Sequence, residues 1–198
     1  MSSAAITRPS NEPQWVLPSR GHVGMFTLIA AEFAIFTIFV VAYIFYIGKS
    51  MSGPAPKDVL DVPIFATASL LSSSLTIHLA VRALRNAKVA AFGLWWFVTI
   101  ALGAVFLVGT GREWQHLIFE KGLTISTNLF GTTYYSLVGL HAFHVTVGLV
   151  ILAMGMIFTL LGFVKQEHSV RAEIFSLYWH FVDVVWVILF TVVYVIGR

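Results

Sequence analysis

The stretch at residues 179–186, which reads Trp-His-Phe-Val-Asp-Val-Val-Trp, lies in the last long apolar segment of the chain. It carries the only two strongly polar side chains of that segment, His180 and Asp183. Residues three apart share a face of a helix, and Trp179 and Trp186, which are seven apart, share another stripe. Because an aspartate that faces lipid is energetically costly, we expect the helix to turn its polar face toward other helices of the protein.

The composition predicts an integral membrane protein. Of the 198 residues, 58% are hydrophobic and 11% are charged, which is too apolar for a soluble domain of this size. A helix needs about 20 apolar residues to cross a bilayer. Five runs are long enough, at residues 23–47, 63–81, 89–111, 131–164 and 175–196. Because backbone groups in lipid must be hydrogen-bonded within their own segment, we predict an all-α bundle of five transmembrane helices.

The distribution of basic residues predicts the orientation. Residues 1–22 are polar, and we interpret them as an N-terminal tail before a single membrane domain at residues 23–198. Arginine and lysine mark the cytoplasmic side of short membrane loops. With the N-terminus inside, the inner segments hold seven of these residues and the outer segments five, and one short loop contributes Arg82, Arg85 and Lys88. We therefore predict a multi-pass membrane protein with a cytoplasmic N-terminus.

The sequence also excludes several classes of function. The net charge of +3 reflects few charges of either sign, without the basic patch that binds nucleic acid. The lack of cysteine excludes disulfides, thiolate metal sites and cysteine nucleophiles. The sequence contains no phosphate-binding loop, hydrolase pattern or dinucleotide fingerprint.

Glu32 is the one formal charge in the first apolar run. It lies about 14 Å into the predicted helix, near the middle of the membrane. An acid at this depth can handle protons or face bound lipid, or it can be a neutral, hydrogen-bonded structural residue. The sequence leaves these two roles open.

Two histidines of the fourth run, His141 and His144, also lie on one helical face. We expect the polar face of the last run to turn toward them, and we favour a structural hydrogen-bond network among His141, His144, His180 and Asp183. Imidazole and carboxylate groups also suit iron, copper or zinc. A di-iron membrane oxygenase should show several histidine-rich motifs rather than one pair, so we assign no metal ligand or catalytic residue. A histidine-ligated metalloenzyme remains an alternative.

Three further residues are interface candidates. Glu113 lies just past the third run, where it can pair with Arg112 or Lys121. The other two are Trp179 and Trp186, the aromatic stripe of the last run.

The second run is crowded with small polar residues, among them Thr67, Ser73, Ser74 and Thr76. Small side chains let membrane helices approach closely and hydrogen-bond to one another. We expect this helix to make close contacts within the bundle.

Several short motifs, spread over nearly the whole chain after the tail, resemble those of a single protein family. They are Gly24-Met25 with Ala31-Glu32-Phe33, and the stretches at residues 124–126, 131–135, 139–145 and 178–186. In this combination the chain resembles subunit III of the haem-copper terminal oxidases, in its short five-helix bacterial form.

The resemblance implies a chain without its own redox centre, because haem and copper belong to subunits I and II. It implies a place in the bacterial inner membrane, in a respiratory complex that reduces O2, pumps protons and can join a larger supercomplex. It also implies that the chain packs against subunit I, holds phospholipids in a cleft and supports proton uptake. Glu32 would be the buried acid near that cleft, and His141, His144, His180 and Asp183 would be structural motif residues.

The resemblance leaves the electron donor and one lipid contact open. The family contains cytochrome c oxidases and quinol oxidases; the Thr-Ile-Ser sequence at residues 124–126 favours cytochrome c, and a quinol oxidase is the alternative. Some members carry an arginine fourteen residues after the second motif histidine, where it meets lipid head groups, but this chain has Phe158 there. A small proton-coupled carrier is a further alternative, although the repeats and broken helices of carriers are not evident.

Overall fold

The computed structural model describes residues 19–50 and 53–197, with Asp58 described through its backbone alone. Six α-helices follow one another: α1 (Arg20–Tyr46), the short α2 (Pro56–Val59), α3 (Ile64–Arg85), α4 (Val89–Phe119), α5 (Leu129–Leu160) and α6 (Ser169–Phe190). A 3-10 turn, Gln166–His168, precedes α6, and a π-helical turn, Thr191–Ile196, continues it. No strand occurs in the described ranges.

Five helical segments are long and apolar enough to cross a bilayer, which confirms the predicted all-α bundle of five spans. They are α1, α3, α4, α5 and the continuous segment Gln166–Ile196 that contains α6. α3 has 22 residues. At about 1.5 Å per residue it is about 33 Å long, which matches the hydrocarbon core of a bilayer.

Two helices extend past the ends of their apolar runs. α3 continues beyond residue 81 to Arg85, and α4 continues beyond residue 111 to Phe119. A charged residue ends an apolar run without ending a helix, and arginines near a helix C-terminus interact favourably with the helix dipole. Leu117 is buried in the added part of α4, so packing supports the extension.

Side-chain caps fix the starts of α1 and α5. The Ser19 hydroxyl accepts a hydrogen bond from the His22 N–H at 3.4 Å, and Asn128 Oδ1 accepts one from the Gly131 N–H at 2.8 Å. These helices therefore begin slightly ahead of the predicted starts at residues 23 and 131. Residues 1–18 of the predicted tail lie outside the described residues.

Trp179 of α6 lies at the centre of the bundle and is fully buried. Its ring passes between Gly103 of α4 and Gly148 of α5, where an added Cβ would lie 2.8 Å and 2.9 Å from the nearest indole carbon. The indole N–H donates to the Ser73 hydroxyl of α3 at 2.8 Å. One side chain thus ties α6 to three neighbouring helices, and the two glycines are needed for its close approach.

Candidate functional site

A carboxyl group and an imidazole meet between α1 and α5. Glu32 Oε2 lies 3.0 Å from His144 Nε2, and the two side chains are 23% and 8% exposed. Glu32 lies about 18 Å along α1 from Arg20, so the pair is near the middle of the span. The ring of Phe36, one turn further along α1, packs against the His144 ring with the centroids 5.0 Å apart.

The second ring nitrogen shows where the hydrogens of this pair lie. His144 Nδ1 is 2.7 Å from the carbonyl oxygen of Leu140. Since a carbonyl oxygen can only accept, Nδ1 carries a hydrogen. One further proton lies between Nε2 and Glu32: either the acid donates to a neutral imidazole, or an imidazolium donates to the carboxylate. The pair has no net charge in either form, which lowers the cost of burying it.

Tyr178 of α6 completes the arrangement. Its hydroxyl donates to the backbone carbonyl of His144 at 3.3 Å, and Tyr178 lies close enough to Glu32 for electrostatic interaction. Three helices thus each contribute a polar group to one place inside the membrane. We term Glu32, His144 and Tyr178 the Glu32 site.

His141 does not join the Glu32 site. Its ring stacks on the Trp186 ring with the centroids 5.1 Å apart, and the Phe106 ring meets it edge-on at 5.8 Å. His141 is fully buried, and neither ring nitrogen has a hydrogen-bond partner among the described residues. Across residues 19–50 and 53–197, no three histidine or acidic side chains lie close enough together to hold a metal ion.

The polar face of α6 turns toward α3 instead of toward the histidines of α5. His180 Nδ1 lies 2.7 Å from the Ser74 hydroxyl. Ser74 also lies beside Asp183. Asp183 is 3% exposed, and neither of its carboxylate oxygens has a hydrogen-bond partner among the described residues. The predicted network is therefore divided in this part of the chain: His144 pairs with Glu32, and His180 pairs with Ser74.

The two tryptophans that the sequence offered as interface candidates are buried inside the chain. Trp186 donates its indole N–H to the Thr67 hydroxyl at 3.2 Å, as Trp179 does to Ser73. Later residues of α6 meet earlier residues of α3, which is the antiparallel register of the two helices. The tryptophans thus join helices of this chain and leave no ring surface for a partner.

Glu113 pairs with tyrosines instead of with Arg112 or Lys121. Its Oε1 accepts a hydrogen bond from the Tyr194 hydroxyl at 2.8 Å and one from the Tyr134 hydroxyl at 3.2 Å. Tyr194 reaches it from the π-helical turn, and Tyr134 from the first part of α5. The cause is the extension of α4, which turns Glu113 inward and leaves Arg112 exposed.

A cavity of about 420 Å³ lies at the end of the bundle that carries the α3–α4 loop. Its walls are largely apolar and include Phe92, Trp96, Phe158, Phe163 and Phe175. Arg171 of α6 also lines the cavity; this residue is exposed and forms no ion pair with any described residue. We term this space the Arg171 cavity.

Comparison with known proteins gives one family. The profile described as cytochrome c oxidase subunit III matches residues 20–198. A cytochrome c oxidase subunit 3 of Bacillus subtilis is 34% identical over 196 residues, which cover 98% of this chain and 95% of that protein. One from Synechocystis is 38% identical over 177 residues, covering 87% and 74%. A cytochrome bo(3) ubiquinol oxidase subunit 3 of Pseudomonas aeruginosa is 36% identical over 179 residues, covering 88% and 84%.

Proposed function

Because this chain belongs to the cytochrome c oxidase subunit III family, we propose that it is the non-catalytic subunit III of a bacterial cytochrome c oxidase. That complex reduces O2 and pumps protons in aerobic respiration, with haem and copper held by subunits I and II. The chain lies in the inner membrane with its N-terminus in the cytoplasm. It stabilises subunit I and supports proton uptake.

The observation that carries the proton role is the Glu32 site. Glu32 Oε2 and His144 Nε2 lie 3.0 Å apart near the middle of the span, a distance at which an acid and an imidazole share a hydrogen. Glu32 keeps 23% of its side chain exposed, so the proton can reach a group outside this chain. A site that changes protonation without moving its helices can buffer protons for a neighbouring catalytic subunit.

The Arg171 cavity supports the binding of a phospholipid. Its apolar walls suit an acyl chain, and the unpaired guanidinium of Arg171 suits a phosphate, as basic pockets between membrane helices do. Phe158, where some relatives carry a lipid-binding arginine, is part of the wall. We propose that Arg171 supplies the positive charge from α6 instead.

Cytochrome c is the proposed electron donor, on the strength of the Thr-Ile-Ser sequence at residues 124–126. Quinol is the second candidate, because the similar Pseudomonas aeruginosa protein is a subunit of a ubiquinol oxidase. Either electron donor is compatible with the proton role proposed for Glu32 and with phospholipid binding at the Arg171 cavity.

The test is to tag this chain, extract it in mild detergent, and measure its partners, its haem spectrum and its oxygen consumption. We expect two larger membrane subunits, a-type haem bands, and oxygen consumption with reduced cytochrome c. Oxygen consumption with quinol but not with reduced cytochrome c would show that quinol is the electron donor. A lone chain without haem after several gentle extractions would contradict the oxidase assignment and favour a proton-coupled carrier, and metal bound to it in stoichiometric amount would favour a metalloenzyme.

A further inference from the structure

Two buried tyrosines of different helices share one carboxylate oxygen. The hydroxyls of Tyr194 and Tyr134 both donate to Glu113 Oε1, at 2.8 Å and 3.2 Å, and the two hydroxyl oxygens lie 3.4 Å apart. Tyr134 is fully buried and Tyr194 is 4% exposed, so water does not surround either phenol. Hydrogen bonds to the charged form of a carboxyl group stabilise that form. Glu113 is therefore placed to act as a base toward both phenols.

The other buried tyrosines have no such base at their hydroxyls. Those of Tyr135 and Tyr178 donate to backbone carbonyls, at 2.8 Å and 3.3 Å. The hydroxyl of Tyr43 has no hydrogen-bond partner among the described residues. A backbone carbonyl accepts a hydrogen bond but does not take up the proton at neutral pH. The arrangement around Glu113 is thus particular to Tyr134 and Tyr194.

A base beside a phenol decides whether the ring can lose an electron. A phenol that loses one electron becomes a strong acid, so the oxidation is favourable only where a base takes the proton at once. Glu113 Oε1 supplies that base within hydrogen-bond distance of each hydroxyl. Tyr134 and Tyr194 should therefore be the most easily oxidised of the buried tyrosines.

Two aromatic rings connect this pair to the end of the bundle opposite the α3–α4 loop. The ring centroids of Tyr134 and Tyr135 are 5.2 Å apart, and those of Tyr135 and Trp114 are 5.5 Å apart. Aromatic rings at this spacing are in contact, so an electron can pass from one to the next. Trp114 is half-buried in the last part of α4, and its indole N–H has no acceptor among the described residues. An oxidised Trp114 therefore has no base to hold the charge there, and the electron vacancy can move inward.

We propose that Glu113, Tyr134 and Tyr194 form a redox-active tyrosine site that takes up one oxidising equivalent through Trp114 and Tyr135. The oxidant is a peroxyl radical of a membrane lipid. It removes one electron from Trp114 and, with a proton from water, becomes a hydroperoxide and leaves hydroxide. An electron from the tyrosine pair, passed along by Tyr135, restores Trp114, while the phenolic proton moves to Glu113 Oε1. The chain is left with a neutral tyrosyl radical and a protonated Glu113.

This activity would remove lipid radicals beside a complex that handles O2. The source of those radicals rests on the proposed function, because peroxyl radicals form where O2 meets oxidised lipid. The oxidation of the tyrosines rests only on the contacts of Glu113, Tyr134, Tyr135, Tyr194 and Trp114. The experiment is therefore done on this chain alone, where its failure says nothing about membership of an oxidase.

Photo-oxidation of the full chain in detergent tests the site. Illuminated tris(bipyridine)ruthenium with persulfate supplies a one-electron oxidant in water, and electron paramagnetic resonance of frozen samples identifies the radical. Every chain carries Tyr46→Phe, because Tyr46 is 37% exposed and would react directly. We expect a tyrosyl signal that narrows when the chain is produced with ring-deuterated tyrosine. A tryptophan radical alone, or no protein radical, would overturn the proposal.

Tyrosine substitutions locate the radical. The double variant Tyr134→Phe/Tyr194→Phe should lose the tyrosyl signal. Tyr43→Phe is the matched control, because it also removes a buried hydroxyl but one without a base, and it should keep the signal. An equal signal in the double variant and the control would overturn the proposal, because the radical would then lie on another tyrosine.

Glu113→Gln separates the proton step from packing. The amide oxygen can still accept a hydrogen bond from each tyrosine, but it cannot take up a proton. We expect loss of the tyrosyl signal with an unchanged circular dichroism spectrum, which shows that the bundle is intact. Trp114→Phe retains an aromatic ring that is harder to oxidise and should slow formation of the radical. A signal of unchanged size in Glu113→Gln would overturn the proposal, because Glu113 would not be the base.

Discussion

The indole N–H of Trp179 donates to the hydroxyl oxygen of Ser73 across 2.8 Å, and this bond joins the last membrane helix to the second. Ser73 is itself held, because its hydroxyl donates to the backbone carbonyl of Leu70. Both residues of the pair are fully buried. Because both side chains are buried, loss of the bond would leave the indole N–H without its acceptor, so removing it has a measurable cost.

Ser73→Ala should destabilise the bundle. The substitution leaves the buried indole N–H of Trp179 without an acceptor, which costs about 1–3 kcal/mol. Thermal unfolding of the isolated subunit in detergent measures the change. Ser72→Ala is the matched control, because Ser72 is exposed, and it should melt as the unchanged chain does. Equal melting of the two variants would show that the bond contributes nothing.

Glu32→Gln should alter proton delivery and spare assembly. The amide has the shape of the acid and can donate to His144 Nε2, but it cannot exchange a proton. We expect normal subunit content and haem spectrum, with a lower turnover rate or a faster loss of activity during turnover. Glu120→Gln serves as the control, since the Glu120 side chain is 70% exposed. Unchanged kinetics in Glu32→Gln would leave Glu32 with a packing role.

The orientation can be tested by labelling, because the natural chain contains no cysteine. Lys88→Cys and Lys121→Cys introduce one thiol in each of two loops on opposite sides of the bundle. With a cytoplasmic N-terminus, a membrane-impermeant maleimide should label Lys121→Cys in intact spheroplasts, and Lys88→Cys only after permeabilisation. The reverse pattern would place the N-terminus outside.

Arg171→Gln should weaken binding of an anionic phospholipid at the Arg171 cavity. One basic residue near an anionic head group contributes about 1 kcal/mol, or about fivefold in affinity. Native mass spectrometry of the delipidated complex, with phosphatidylglycerol added back, measures the loss. Lys88→Gln removes a charge at the same end of the bundle outside the cavity lining and should bind as the natural chain does. Equal binding by both variants would exclude Arg171 as the phosphate contact.

The five spans could be predicted because run length and apolar composition decide which segments cross a bilayer. Their ends could not, because caps such as Asn128 and terminal arginines such as Arg85 act on the helix after the apolar pattern has stopped. A sequence shows where hydrophobicity changes, and helices end where their backbone groups find other partners.

Glu32 could be identified from its isolation in an apolar run, but its partner could not. His141 and His144 share a broad face, yet residues three apart still differ by about 60° around a helix axis. In the packed bundle this rotation directs His144 to Glu32 and His141 to Trp186. The hydrogen bond between His180 and Ser74 could not be predicted for the same reason, because the sequence does not show how each helix is rotated relative to its neighbours.

The π-helical turn Thr191–Ile196 makes the length of the C-terminal segment matter more than its composition. There the Gly197 N–H donates to the Val192 carbonyl, five residues back, at 2.9 Å. A π turn holds about one residue more than an α turn, so an ordinary α-helical turn would absorb the deletion of a residue such as Val192, whereas a further insertion would rotate all that follows by about 100°. An added residue before Tyr194 would then take its hydroxyl away from Glu113. Among relatives, a one-residue insertion at this point should therefore coincide with loss of the tyrosine, whereas a one-residue gap or exchanges among apolar residues should be neutral.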